Sequence, residues 1–301
     1  MAFGQYTNLD FDQIKTSIKD YLKSNDNFTD YDFEGSNLSI VLDALAYNTY
    51  ITAYNTNMAV NENFLDSATL RENVVALARN IGYVPRSRKA SKAKISFNVQ
   101  GLDSAVTLTL KAGLVVNGVA ENTSYIFSIP EDITVAVKNN IAFFNEIEVF
   151  EGLLLTQNFT VDASKSNQRF ILPNSFIDTD SIRVNVKSSE NSSTKVAYTP
   201  VDNIIGITST SNTYLLQEIE DERYEIMFGD GIIGRKLSNN NYVTISYLQT
   251  QGKSANGAAE FSFIGRLVNQ DGAVVGGTNV SLVDTIERSR DGDDIESIAS
   301  I

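Results

Sequence analysis

The first third of the sequence places its apolar residues at helical spacing. Residues 11–22 carry one apolar face, formed by Phe11, Ile14, Ile18, Tyr21 and Leu22, and Asp10 stands where a helix N-cap is expected. The polar residues 24–27 are typical of a turn. This pattern predicts a short amphipathic helix near the start of the chain.

A second, longer helix is predicted over residues 37–64, with Ser36 as its N-cap. Its apolar positions advance in alternating steps of four and three residues, through Ile40, Ala44, Tyr47, Ile51, Tyr54, Met58, Asn61 and Leu65, and Asn61 is the one polar member. We call these residues the seam. A period of 3.5 residues favours side-by-side packing against another helix, over a length of about 40 Å.

A third helix is predicted after Ser67, which is the expected N-cap. Its apolar residues repeat the same steps and are Leu70, Val74, Leu77 and Ile81. Gly82 fits the left-handed residue that ends a helix, and Pro85 prevents the helix from continuing.

From residue 93 onward the hydrophobic period changes to two, which is typical of half-buried antiparallel strands. The predicted strands are residues 95–99, 106–110, 125–129, 133–137, 182–186, 224–228 and 242–248. The polar run 188–194 is interpreted as an exposed loop or a boundary between two β-subdomains. The fold class is therefore α+β: a helical bundle module over 1–88, β-rich subdomains of short antiparallel strands over 89–187 and 188–285, and the start of a helical region over 286–301.

Composition argues against several classes of function. The 301 residues contain no His and no Cys, which excludes Ser-His-Asp, Cys-His, His-zinc and thiolate-metal mechanisms. Carboxylates, Lys and Tyr are not concentrated around an obvious loop, so no catalytic, cofactor-binding or metal-ligating residue is predicted. The net charge of −13 argues against sequence-independent nucleic-acid binding. Apolar stretches are too short to cross a bilayer, and we expect a cytosolic protein without membrane association.

Two charged clusters can each be interpreted as structural or as binding sites. The basic run, defined as residues 86–94, is interpreted as a solvated connecting loop, with docking onto an acidic protein partner as the alternative; its cations are Arg86, Arg88, Lys89, Lys92 and Lys94. The acidic cluster lacks the spacing of a calcium loop and is interpreted as helix capping; its members are Asp291, Asp293, Asp294 and Glu296.

The glycine-rich residues 229–234 match the dinucleotide pattern G-x-G-x-x-G. A dinucleotide site also needs a helix that begins at the third glycine, within a βαβ unit. Here a polar, asparagine-rich segment and another predicted strand follow instead. We therefore interpret residues 229–234 as a glycine-rich β-turn that contains Asp230 and Gly231.

Residues 224–234, the strand 243–247 and the glycine-containing stretch 252–257 resemble the signature of the baseplate J family. That signature is a Phe-Gly-Asp-Gly turn before a strand and a Gly/Asn-rich loop, and the matching residues are Phe228, Gly229, Asp230, Gly231 and Gly234. Residues 291–297 resemble the acidic glycine motif of the same family. Residues 32–36, 46–48, 61–65 and 78–83 are more narrowly similar to the large wedge subunits of T-even-like phage baseplates. The family continues well past this motif, so we expect the protein to continue too.

The resemblance implies a non-enzymatic structural subunit of the virion tail baseplate that assembles in the host cytoplasm. It further implies that two copies form a homodimer within each wedge and bundle with a second, longer wedge protein. Six wedges then close a ring around the tail hub and below the sheath, and a change in this ring releases contraction.

Two interpretations of the seam stay open at this point. The predicted helices pack on one another as a private core, or another subunit completes the seam. Tyrosines at positions 47, 50 and 54 favour the second interpretation, because tyrosine is enriched at interfaces. The candidate interface residues are Ile40, Tyr47, Ile51, Tyr54 and Met58.

Two further functions remain as alternatives. A carbohydrate-binding tail adhesin or receptor-binding module fits the many short strands, tyrosines and asparagines. A carboxylate-dependent glycosidase would need a pair of acids about 5 to 9 Å apart, which a sequence does not identify.

Overall fold

A computed structural model describes residues 7, 9–24, 37–103, 105–165, 168–201, 205–276 and 279–301. The predicted turn residues 25–27, the predicted Ser36 cap and the wedge-like segment 32–36 lie outside the described residues. The chain divides into two compact units, Met1–Pro85 with Ile298–Ile301, and Arg86–Ser297. We call them the helical unit and the β-rich unit and describe each by itself.

The helical unit contains three helices in its described residues: α1 (Phe11–Lys23), α2 (Asn37–Asn61) and α3 (Arg71–Asn80). The side chain of Asp10 accepts a hydrogen bond from the Gln13 amide at 3.0 Å, so the predicted N-cap of α1 is confirmed. Helix α2 ends three residues before its predicted end.

The start of α3 differs from the prediction. Ser67 does not cap this helix, because its hydroxyl donates to the Asn61 carbonyl oxygen at 2.7 Å. The end of α3 is as predicted: Gly82 has a φ of 82°, and the amides of Gly82 and Tyr83 donate to the carbonyls of Arg79 and Ala78 at 2.9 and 3.0 Å. This pair of bonds is the Schellman arrangement that closes a helix C-terminus.

The β-rich unit confirms the strands that the two-residue hydrophobic period predicted. Its strands in the described residues are β1 (Lys92–Val99), β2 (Thr107–Leu110), β3 (Gly113–Ala120), β4 (Thr123–Ile129), β5 (Ile133–Lys138), β6 (Ile141–Glu151), β7 (Leu153–Thr160), β8 (Phe170–Ile171), β9 (Ile177–Lys187), β10 (Lys195–Pro200), β11 (Thr213–Glu218), β12 (Tyr224–Phe228), β13 (Tyr242–Gln249), β14 (Ala259–Phe263), β15 (Leu267–Asn269), β16 (Val274–Val275) and β17 (Asp284–Arg290). Each of the predicted strands is present.

The strands form two sheets. In the first, the order is β14-β3-β4-β6-β5-β2-β15-β16, and β1 pairs with both β6 and β17. In the second, the order is β7-β13-β9-β10-β11-β12-β8. Pairing is antiparallel except between β10 and β11, which are parallel. An α+β architecture with a helical region followed by an antiparallel β-rich body is therefore confirmed.

Each sheet has its own hydrophobic core. In the first core Phe97 stacks on Phe144 with ring centroids 4.9 Å apart, and Phe127 meets Phe261 edge-on at 5.1 Å. The second core includes the fully buried Tyr247, whose hydroxyl donates to the Asn174 side-chain oxygen at 2.6 Å. Aromatic pairs of this geometry add to the stabilisation from burial.

Two sequence-based boundaries do not coincide with these sheets. The exposed run 188–194 joins β9 to β10, which pair with each other, so the boundary at 187/188 falls inside the second sheet. Residues 284–290 form the strand β17 against β1, and no helix occurs in the described residues that follow. Alternating exposure along β17 accounts for this correction to the helical region predicted over 286–301.

Candidate protein-interaction surface

Helix α2 buries polar side chains as well as apolar ones. Asn57 and Asn61 are 5% and 2% exposed, and the Asn61 side-chain amide donates to the Asn57 carbonyl oxygen at 2.8 Å. The Asn57 side-chain oxygen accepts a hydrogen bond from the Thr7 amide at 3.0 Å, and the Thr7 hydroxyl donates to the Ala53 carbonyl at 3.1 Å. The inward side of α2 is thus held partly by hydrogen bonds rather than by apolar packing alone.

The apolar residues of the seam are largely exposed. Ile40 is 63% exposed, Tyr47 60%, Tyr54 48% and Ile51 36%, whereas Met58 is partly buried. Ala44 is exposed as well, while the seam positions Asn61 and Leu65 are buried and partly buried. We call Ile40, Ala44, Tyr47, Ile51 and Tyr54 the exposed stripe. A private core does not account for this stripe, and its role as an interface remains a prediction.

This arrangement departs from the usual amphipathic helix, because Leu42 and Ala46 are buried together with the asparagines while the apolar stripe stays exposed. A surface helix normally turns its apolar side inward and its polar side to water. Contiguous apolar side chains on a protein surface commonly mark a site of interaction. Since α2 already buries residues such as Leu42 and Ala46 and still exposes isoleucines and tyrosines, it has apolar side chains for packing on more than one side.

Neighbouring contacts hold α2 in place. The Lys15 ammonium lies 2.5 Å from a carboxylate oxygen of Asp43, which links α1 to α2, and Ile14 of α1 is buried. The hydroxyls of Thr52 and Thr56 donate to main-chain carbonyls one turn earlier, at 2.8 Å each. These threonines satisfy their own hydrogen bonds on the helix and need no partner.

Glu62 performs the capping role that was predicted for Ser67. Its carboxylate accepts hydrogen bonds from the Thr69 amide at 2.8 Å, the Thr69 hydroxyl at 2.6 Å, the Leu70 amide at 3.2 Å and the Asn73 side chain at 2.8 Å. Desolvation raises the pKa of Glu62, but the bonds from Thr69, Asn73 and Leu70 outweigh it and lower the pKa to about 2. One side chain therefore fixes the turn between α2 and α3.

The glycine-rich turn is a structural element of the β-rich unit. A side chain on Gly229 would lie 2.3 Å from the Gly234 carbonyl carbon, so only glycine fits this close approach. Gly231 has a φ of 95° and Gly234 a φ of 81°, which favour glycine for conformational reasons. The Asp230 carboxylate accepts from the amides of Ile232 and Ile233 at 2.8 and 2.9 Å, and these backbone hydrogen bonds lower its pKa.

The context of this turn is not that of a nucleotide site. Phe228, which precedes it, packs edge-on against Phe170 at 5.1 Å and Tyr198 at 5.6 Å. The turn leads through residues 235–241 to strand β13, and those residues contain no helix. The interpretation as a β-turn fits this geometry.

The basic run is not a solvated loop, and the acidic cluster does not cap a helix. Arg86 pairs with Asp293 at 3.0 Å, and Arg88 approaches Asp294 at 3.5 Å. The Arg86 amide also donates to the Glu296 carboxylate at 2.9 Å. Both earlier interpretations are corrected because the two clusters, about 200 residues apart in sequence, pair with each other within the β-rich unit.

The most buried carboxylates have structural partners. Glu151 accepts hydrogen bonds from the Thr250 hydroxyl at 2.5 Å and the Gln251 amide at 3.0 Å; burial raises its pKa, and these bonds partly oppose the rise. Asp178 accepts from the Ala90 amide at 2.9 Å, and burial raises its pKa too. Among the described residues no group of acids is arranged to hold a metal ion.

The structure places the two sets of candidate residues in different units. The exposed stripe lies along one helix of the helical unit, and Phe228 with the glycine-rich turn lies in the β-rich unit. In the described ranges, no helix is both long and apolar enough to span a membrane.

Comparison with known proteins bears on the unit that carries the stripe. Residues 10–83 match the family model for the helical domain of gp6-like baseplate wedge proteins. The chain is also similar to the baseplate wedge protein gp6 of Enterobacteria phage T4, with 29% identity over 277 residues. That match covers 86% of this chain and 41% of gp6, so the chain spans less than half the length of this curated relative.

A solved assembly is also similar, but too distantly to support an argument. The cryo-EM structure of the anti-feeding prophage baseplate matches 95% of this chain and 49% of the chain compared, with 13% identity and a TM-score of 0.27. The similarity to wedge proteins therefore rests on the sequence matches, and the first of them contains the whole exposed stripe.

Proposed function

We propose that this chain is a structural subunit of a contractile phage tail baseplate wedge, located in the virion and assembled in the host cytoplasm. The observation that carries the proposal is the exposed stripe of α2. It lies within residues 10–83, which match the helical domain of gp6-like baseplate wedge proteins. The curated relative that matches most of the chain is itself named a baseplate wedge protein.

In this proposal Ile40, Tyr47, Ile51, Tyr54 and Met58 pack against a helix of another subunit. Of these, the four large side chains of the exposed stripe are between 36% and 63% exposed and are available for burial. At roughly 1 kcal/mol for such a half-exposed side chain, two stripes would contribute on the order of 10 kcal/mol. Association itself costs about 4–15 kcal/mol, so pairing of two isolated copies is expected to be weak and concentration-dependent.

This balance favours a bundle of more than two helices. We propose that two copies pair within each wedge, that other wedge proteins complete the bundle, and that six wedges form a ring around the hub below the sheath. Residues 1–88 act as the assembly module and the β-rich residues form the body of the subunit. The proposal assigns no catalytic step, since the buried carboxylates Glu151 and Asp178 are used by structural hydrogen bonds.

The test is the solution mass of the full chain by light scattering, alone and co-expressed with a neighbouring tail protein. Ile51→Asp places a charge in the middle of the exposed stripe. Thr56→Asp is the matched control, because Thr56 is an exposed residue on a different side of the same helix. Circular dichroism of both variants checks that the helices persist.

We expect complexes in the wild type and in Thr56→Asp, and their loss in Ile51→Asp. Equal masses for all three proteins would show that the stripe is not part of the interface. Glycan-array binding that survives in Ile51→Asp, together with a monomeric wild type, would instead support the adhesin alternative.

A further inference from the structure

The acidic residues near the end of the described chain lie across the basic run. We call residues 291–296 the acidic strap. The amides of Lys89 and Asp293 donate to each other's carbonyl oxygens, both at 3.0 Å. The Glu296 amide donates to the Arg86 carbonyl at 3.0 Å, and the Arg86 amide returns a bond to the Glu296 carboxylate. The strap and the run are therefore joined through the main chain at two positions.

Ion pairs surround these main-chain bonds. Arg86 to Asp293 measures 3.0 Å, Lys92 to Asp291 3.6 Å, and Lys253 to Asp294 2.7 Å. The side chains of Arg86 and Asp293 are 60% and 47% exposed, so water and salt reach this pair. The hydrogen bond from Lys253 to Asp294 raises the pKa of that lysine.

Close backbone contacts fix the path of the strap. A side chain on Gly292 would lie 2.5 Å from the Gly252 carbonyl oxygen and 2.8 Å from the Cβ of Ser91. The Asn256 side chain brackets Gly292, since it donates to the Gly292 carbonyl and accepts from the Gly292 amide, both at 2.9 Å. The strap can therefore close on the run in one register only.

We propose that the acidic strap is an ionic clasp that closes on the basic run and opens as a local unit while both sheets stay folded. The strap is held by ion pairs, a few main-chain bonds and the side chains of Asn256 and the buried Glu296, and it contributes no residue to either hydrophobic core. Segments held in this way open at lower free energy than the sheets themselves. While closed, the strap pairs with Arg86, Arg88 and Lys92 of the run, so an acidic partner that binds these cations has to displace it.

Hydrogen exchange at the amides of Lys89, Asp293 and Glu296 reports opening directly. The test variant is Asp293→Asn with Asp294→Asn, which removes the strap charges opposite Arg86, Arg88 and Lys253. The control is Asp132→Asn with Asp162→Asn, which changes the net charge equally at ion pairs elsewhere in the β-rich unit.

We expect exchange at the three amides to be about threefold to thirtyfold faster in the test variant than in the control, as the loss of two or three exposed ion pairs allows. Amides within β1 and β6 should exchange at unchanged rates. Equal exchange in the two variants, or acceleration that extends equally into the sheets, would overturn the proposal.

A charge swap provides a second test. Arg86→Asp and Asp293→Arg should each speed exchange at these amides, and the two substitutions together should return it to near the wild-type rate. If the double substitution exchanges as fast as either single one, attraction between these charges does not close the strap.

Discussion

Replacing Glu62 with glutamine is expected to loosen the turn that starts α3. The glutamine keeps the shape of the side chain but loses the charge and one of the two oxygens that serve Thr69, Leu70 and Asn73. A pKa lowered from 4.5 to about 2 corresponds at face value to about 3 kcal/mol. Glu62 is partly exposed, and solvent screening reduces this to about 1–2 kcal/mol, similar to the loss of an N-cap.

The pH dependence of this effect has a definite sign. The folded-state pKa of Glu62 lies below its unfolded value, so its stabilisation is present above about pH 4.5 and is lost as the pH falls towards about 2. The destabilisation caused by Glu62→Gln should therefore be full at pH 7 and reduced by about half at pH 3.

Urea unfolding followed by ellipticity at 222 nm measures this effect, since the described α-helices all lie in the helical unit. For an m-value of about 1–2 kcal/mol/M, we expect the midpoint at pH 7 to fall by about 1 M. Glu72→Gln is the control, because Glu72 is an exposed carboxylate in the first turn of α3. A midpoint equal to that of the control, or a shift of the same size at pH 3, would refute the capping argument.

Further predictions concern the β-rich unit. Gly229→Ala should lower stability by about 1–3 kcal/mol in urea unfolding, because the new methyl group would meet the Gly234 backbone; an unchanged midpoint would contradict that close approach. Glu151→Gln should be neutral or stabilising at pH 7, because burial raises the pKa of the carboxyl and disfavours its charge, and the difference should vanish below about pH 4.5; a clear loss at pH 7 would show that the charge is needed. Phe127→Ala should cost about 3–5 kcal/mol in calorimetry, since Phe127 is fully buried edge-on to Phe261, and a cost under about 1 kcal/mol would contradict this packing.

Local periodicity predicted the helices and the regular strands well. Helix α1 has a cap at Asp10, and the left-handed Gly82 follows the end of α3; both signals depend only on neighbouring residues. Strands β1, β5 and β13 alternate strictly or nearly so between more and less buried positions, which is the pattern that reveals a strand in a sequence.

Two of the strands that were not predicted, β3 and β6, have interrupted patterns. In β3 the register shifts between Leu114 and Val116, so two successive valines are buried. In β6 the shift lies opposite residues 95–97, and Glu146 has a φ of 50°. Bulges of this kind exchange the two sides of a strand, and the sequence then shows no single alternation.

The candidate site was predictable only where it depends on local periodicity. The exposed stripe follows from a heptad pattern within one helix, although its exposure required the structure. Glu62 was missed because its partners Thr69, Leu70 and Asn73 lie 7 to 11 residues further along the chain, around the start of α3. The pairing of the basic run with the acidic strap spans about 200 residues, and the only signal for it was the opposite charge of the two clusters.

The central claim is that two copies of the chain pair through the exposed stripe of α2, and a single cysteine tests it most directly. The chain contains no cysteine, so Ile51→Cys introduces one reactive thiol near the middle of α2, with Thr56→Cys as the matched control. Oxidation of the assembled protein, followed by denaturing electrophoresis, measures cross-linking between chains. We expect a covalent product of twice the chain mass from Ile51→Cys and little from Thr56→Cys. No product at Ile51, or equal products at both positions, would contradict the pairing of two copies through the stripe.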